Sequence, residues 1–82
     1  MSIHYSGQDA AFSDVVGVDE AERLLEWLQS NPTARLNLSA CTHLHPANLQ
    51  VLMAARATVS AWPRDPDLAA WLRSALSIPA NP

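Results

Sequence analysis

Leu36-Asn37-Leu38-Ser39-Ala40-Cys41-Thr42-His43-Leu44-His45-Pro46-Ala47-Asn48-Leu49-Gln50-Val51-Leu52-Met53-Ala54-Ala55-Arg56 is the stretch that decides the fold. Its opening alternates, with Leu36 and Leu38 on one face and Arg35, Asn37 and Ser39 on the other, which predicts a strand over Ala34–Ser39. Pro46 suits the first turn of a helix, where its missing N–H costs nothing. That helix is predicted to run to about Arg56. Leu49, Leu52, Met53 and Arg56 share one face, and Val51, Ala54 and Ala55 widen the apolar surface, so the helix is expected to be largely buried. Between strand and helix, Ser39 to Asn48 reads as a polar loop. Strands of open α/β sheets hold ligands at their carboxyl ends, so this loop is expected to carry the function.

Upstream, Ile3–Ser6 and Ala11–Val16 read as two short strands around the turn signal Gly7-Gln8-Asp9. Asp19–Ser30 reads as a helix. Asp19 is placed to cap it, with Glu22 three positions on as in a capping box. Ala21, Leu24, Leu25 and Leu28 form its apolar stripe, Trp27 lies at the edge of that stripe, and Asn31-Pro32 ends it. Downstream, Ala57–Trp62 reads as a strand stopped by Pro63. Asp65-Pro66 then opens a third helix to about Leu76. Its stripe is Leu68, Trp71, Leu72, Ala75 and Leu76. Residues 77–82 are expected to be a frayed tail.

The order β-β-α-β-α-β-α predicts an α/β fold: a small, mixed and mostly parallel sheet of about four strands with three helices and right-handed crossovers. The chain has 82 residues, read as one domain over 1–82. An apolar fraction of 49% is ordinary for a globular chain. No apolar run approaches the roughly 18 residues that span a bilayer, so no membrane insertion is expected. The N-terminus lacks the pattern of a secretory signal. A single cysteine, Cys41, fits a reducing compartment, and a cytoplasmic location is expected. The net charge is −3 and the basic residues are all arginine, without a basic stripe, which argues against nucleic acid as a partner.

Cys41, His43 and His45 cluster in the central stretch. A thiolate and two imidazoles can bind zinc. Here three ligands fall within five residues and no second cluster closes the site, so no metal and no cofactor are expected. Cys41 or Ser39 beside His43 or His45 would be the start of a nucleophilic site. No oxyanion hole, phosphate loop or carboxylate pair accompanies them, so no catalytic residue is assigned. Of Trp27, Trp62 and Trp71, Trp62 is the first candidate for an exposed interface anchor, since tryptophan is enriched at binding hot spots.

The central stretch resembles the STAS domain family, named for sulfate transporters and anti-sigma factor antagonists. Leu36-Asn37-Leu38-Ser39 is similar to the family's apolar-Asp-apolar-Ser strand. Thr42-His43-Leu44-His45-Pro46-Ala47-Asn48-Leu49 is similar to its following loop and helix start, where Asp-Ser-Ser/Thr-Gly-Leu is common. The resemblance implies a STAS-like fold without catalytic activity. It also implies docking on a protein partner, such as an anti-sigma factor or a histidine-kinase-like protein, in bacterial signalling or transcription regulation. Phosphorylation at the start of the second helix turns that docking off in the family. Here the phosphoacceptor position is Pro46 and the next is Ala47, so neither can accept a phosphate; Ser39 and Thr42 are the nearest hydroxyls. The expected docking residues are His43, His45, Pro46, Asn48 and Gln50. The alternative is a structural subunit, a homodimer or a component of a transport or sensory complex, with no phosphorylation switch. A third reading is a small metal-binding protein using Cys41, His43 and His45.

Overall fold

A computed structural model describes residues 2–76. The predicted tail lies outside the described residues. The elements are β1 (Ile3–Ser6), β2 (Asp9–Val16), a 3₁₀ turn (Val18–Glu20), α1 (Ala21–Ser30), β3 (Arg35–Leu44), α2 (Pro46–Ala55), β4 (Thr58–Ala61) and α3 (Pro66–Leu76). The expected order holds. One sheet carries the strands in the order β1-β2-β3-β4. The β1–β2 pair is antiparallel, while β2–β3 and β3–β4 are parallel.

The β1–β2 hairpin is closed by two residues. Gly7 takes φ 61° and Gln8 is not left-handed, as a II′ turn requires. A side chain at residue 7 would meet nothing within 4 Å, so backbone conformation is what favours glycine there.

Successive parallel strands step in one direction, β2 to β3 to β4. Two right-handed crossovers with the same step leave both helices on one face of the sheet, and α1 packs against α2 there. Under them lies the core, in which Phe12, Leu24, Leu36, Leu38, Leu52 and Leu72 are fully buried. On the other face His4, Ala11 and Asn37 lie side by side across three strands and are exposed. The described part is thus a two-layer sandwich of helices on a sheet.

The largest departure from the sequence reading lies in β3. It does not stop at Ser39 but continues to Leu44, so most of the expected loop is strand. Its inward residues are Leu36, Leu38, Cys41 and Leu44, spaced two, three and three apart. Two register shifts against β2 absorb the extra residues, one between Ala11 and Ser13, the other between Asp14 and Val15. Asp14 takes φ 55° at the second. Each such bulge breaks the alternation of two by which a strand is recognised.

Three smaller corrections follow from packing. Asp19 is not a helix cap: it sits inside the 3₁₀ turn, and no side chain caps α1. The second helix is not largely buried, because Met53 is 45% exposed and Ala54 is exposed beside it. Trp62 is half-buried, with the Arg73 guanidinium 5.1 Å from its ring centroid; the exposed tryptophan is Trp71. The cap on α3 is as expected. Asp65 Oδ1 accepts from the N–H groups of Asp67 (2.9 Å) and Leu68 (3.3 Å).

Candidate functional site

β3 ends at Leu44, and one residue, His45, links it to α2. The His45 N–H donates to the Val16 carbonyl at 2.9 Å, which ties the link to the end of β2. Its side chain closes the helix. Nδ1 accepts from the Ala47 N–H at 3.0 Å, so imidazole does the work of the usual hydroxyl or carboxylate cap. An imidazole that accepts through Nδ1 carries its proton on Nε2, leaving a donor for a partner.

Asn48 follows one turn into α2 and is fully buried. Its Nδ2 donates to the carbonyls of Gly17 (2.7 Å) and Val16 (3.3 Å). The amide therefore clamps the start of α2 to the end of β2. A side chain with no exposed surface cannot touch a partner, and Asn48 drops out of the residues expected to dock. His43, His45, Pro46 and Gln50 are exposed. Pro46, Gln50, Met53 and Ala54 follow helical spacing along the outer side of α2. The helix, Pro46–Ala55, contains no charged residue.

The chemistry suggested by the central cluster is not assembled. Cys41 is buried, its Sγ donating to the His43 carbonyl at 3.4 Å. Burial pushes its thiol pKa up, which holds it protonated and poorly nucleophilic. His43 and His45 lie exposed while Cys41 faces the core. No group of three histidine, cysteine or acidic residues able to hold a metal occurs among the described residues. Ser39 is half-buried, its Oγ donating to Asn37 Oδ1 at 2.7 Å, and Thr42 is exposed; both lie on β3 rather than on α2.

The strand order does not provide the switch point at which a ligand crevice opens in such sheets. Such crevices open where crossovers leave a strand pair in opposite directions, and here both step the same way. Two depressions among the described residues lie at the end of β2 and beside β1. They involve Tyr5, Val15, Gly17, Glu20 and Arg23, none of which was a candidate from sequence. The acidic residues at 19 and 20 read as ordinary first-turn charges, and nothing in their spacing signals that Glu20 turns inward.

No helix among the described residues is long and apolar enough to cross a membrane. Comparison with protein-family models, with curated proteins and with solved structures found no match.

Proposed function

We propose that the chain is a non-enzymatic protein–protein interaction module of the STAS type, acting in bacterial signalling or transcription regulation. It docks through the exposed His43, His45, Pro46 and Gln50 and continues along Met53 and Ala54. The carrying observation is the outer side of α2: solvent-exposed along its length, yet without a charge. Interface cores are depleted in charge and enriched in methionine, whereas a helix face that meets only water has no reason to exclude charge. The buried, protonated Cys41 supports a non-catalytic reading. The partner is a protein such as an anti-sigma factor or another histidine-kinase-like protein. With Pro46 and Ala47 at the start of the helix, docking there is constitutive, and any phosphate control falls on Ser39 or Thr42.

A photo-crosslinking amino acid at residue 50 tests this, with the same group at residue 26 on α1 as control. Covalent capture of one regulatory protein from residue 50 alone is the expected result. Equal capture from both positions, or unchanged recovery after the double substitution Gln50→Glu and Met53→Glu, overturns the assignment of this surface.

A further inference from the structure

Two depressions meet at Arg23. The larger, about 520 Å³, is lined by Ser2, Val15, Gly17, Asp19, Glu20 and Arg23. The smaller, about 360 Å³, is lined by Ile3, His4, Tyr5 and Arg23. Glu20 is the unusual wall residue. It is only 7% exposed, and its Oε1 has no hydrogen-bond partner. It stands at the N-cap position of α1, but its side chain makes no cap hydrogen bond. A buried carboxylate is costly unless it is paired, and an ionised one accepts hydrogen bonds only. A carboxylate oxygen is answered by a donor, and a cationic donor here would sit beside two acidic side chains, Glu20 and Asp19, against the one arginine of the lining, Arg23.

The rest of the depression fits the same ligand. Asp19 Oδ1 lies 2.7 Å from the point a Cβ on Gly17 would occupy, so this second carboxylate folds back over the backbone of Gly17. Val15, 58% exposed, supplies an apolar wall. Across Arg23, the Tyr5 hydroxyl is likewise buried without a hydrogen-bond partner. Burial raises its pKa, so it stays protonated at neutral pH. No group of three histidine, cysteine or acidic residues able to hold a metal ion occurs among the described residues, so an organic cation suits the pair of carboxylates and the apolar wall better than a metal. We propose that this depression binds a small organic ammonium, its N–H groups on the Glu20 and Asp19 carboxylates and its alkyl part on Val15. The site is separate from the outer side of α2 and stands whether or not α2 docks a protein.

Titration of the ¹⁵N-labelled protein with n-butylammonium chloride, followed by amide chemical shifts, tests it. n-Butanol and sodium chloride serve as controls for shape and for ionic strength. The expected result is saturable shifts centred on Gly17, Asp19, Glu20 and Arg23, absent with both controls. Glu20→Gln keeps the shape but removes the charge, and should weaken binding by about tenfold or more. Asp19→Asn, at an exposed position, should weaken it less. Absent, scattered or non-saturating shifts mean that the depression holds water only and overturn the proposal. So does equal binding of butanol, or unchanged affinity in Glu20→Gln. Should that variant unfold, unchanged affinity in Asp19→Asn overturns it.

Discussion

The helices α1 and α2 are matched in almost everything that the fold requires. Each has ten residues, each connects two parallel strands, and both lie on one face of the sheet. Each sinks two leucines into the core, Leu24 and Leu28 from α1, Leu49 and Leu52 from α2. They differ on the side that the fold does not use. On α1 that side carries Glu22 and Glu26, the charged surface expected of a helix facing water, while Arg23 beside them reaches over the Tyr5 ring. On α2 it carries Pro46, Gln50, Met53 and Ala54. The ends differ too. α1 starts without a side-chain cap, whereas α2 starts on His45 and is clamped by Asn48. The same architectural task thus leaves two outer surfaces, and only one of them is explained by solvation.

The equality of the inner sides can be broken first, because it carries the largest effects. Leu24→Ala and Leu52→Ala each delete a fully buried side chain. Each should cost about 2–5 kcal/mol by urea denaturation, a large part of the stability of so small a domain. A loss below about 1 kcal/mol for either one alone would mean that its helix does not share the common core.

Asn48 is next. Asn48→Ala removes two hydrogen bonds and leaves the carbonyls of Val16 and Gly17 without that donor. A cost of about 2 kcal/mol is expected, with raised amide exchange at the start of α2. Were Asn48 a docking residue instead, the substitution would spare the urea midpoint and abolish partner capture.

The helix starts give a smaller contrast. His45→Ala should cost about 1 kcal/mol, since it removes the acceptor for the Ala47 N–H. Asp19→Ala should cost less than about 0.5 kcal/mol, since Asp19 caps nothing. A reversal of that order would return the capping role to Asp19.

These contrasts also mark what can be read from residues alone. The element order, the hairpin turn at Gly7 and the Asp65 cap are local properties, written in turn chemistry, apolar spacing and proline placement. The extent of β3 is not local. Ser39-Ala40-Cys41-Thr42-His43 looks like a loop because alternation fails after Leu38, and it fails because β2 and β3 slip register twice. Only the partner strand reveals that Cys41 and Leu44 resume the inward face. Burial depth is hidden in the same way. Trp71 and Leu72 belong to one stripe on α3, yet one is 42% exposed and the other fully buried. Spacing gives a direction around the helix axis but not what lies in that direction. At the candidate surface, His43, His45, Pro46 and Gln50 were legible as exposed polar or turn residues. Asn48 was not, because its partners lie 31 and 32 residues away.

The smallest expected stability effect bears most directly on the outer face of α2. Met53→Arg places a charge where the helix has none, at a side chain 45% exposed. If Met53 is apolar because it packs, arginine must lose that packing, and the cost should resemble that of a core lesion, at about 2 kcal/mol or more. If it is apolar for a partner, the long arginine stem can lie along the same surface with its head in water. The unfolding free energy measured in urea should then change by less than about 0.5 kcal/mol while partner capture is lost. Glu26→Gln on α1 should leave both readouts unchanged, because its charge meets solvent alone. A stability loss at Met53 as large as that of Leu52→Ala would assign the uncharged side of α2 to folding and remove the ground for a docking surface there.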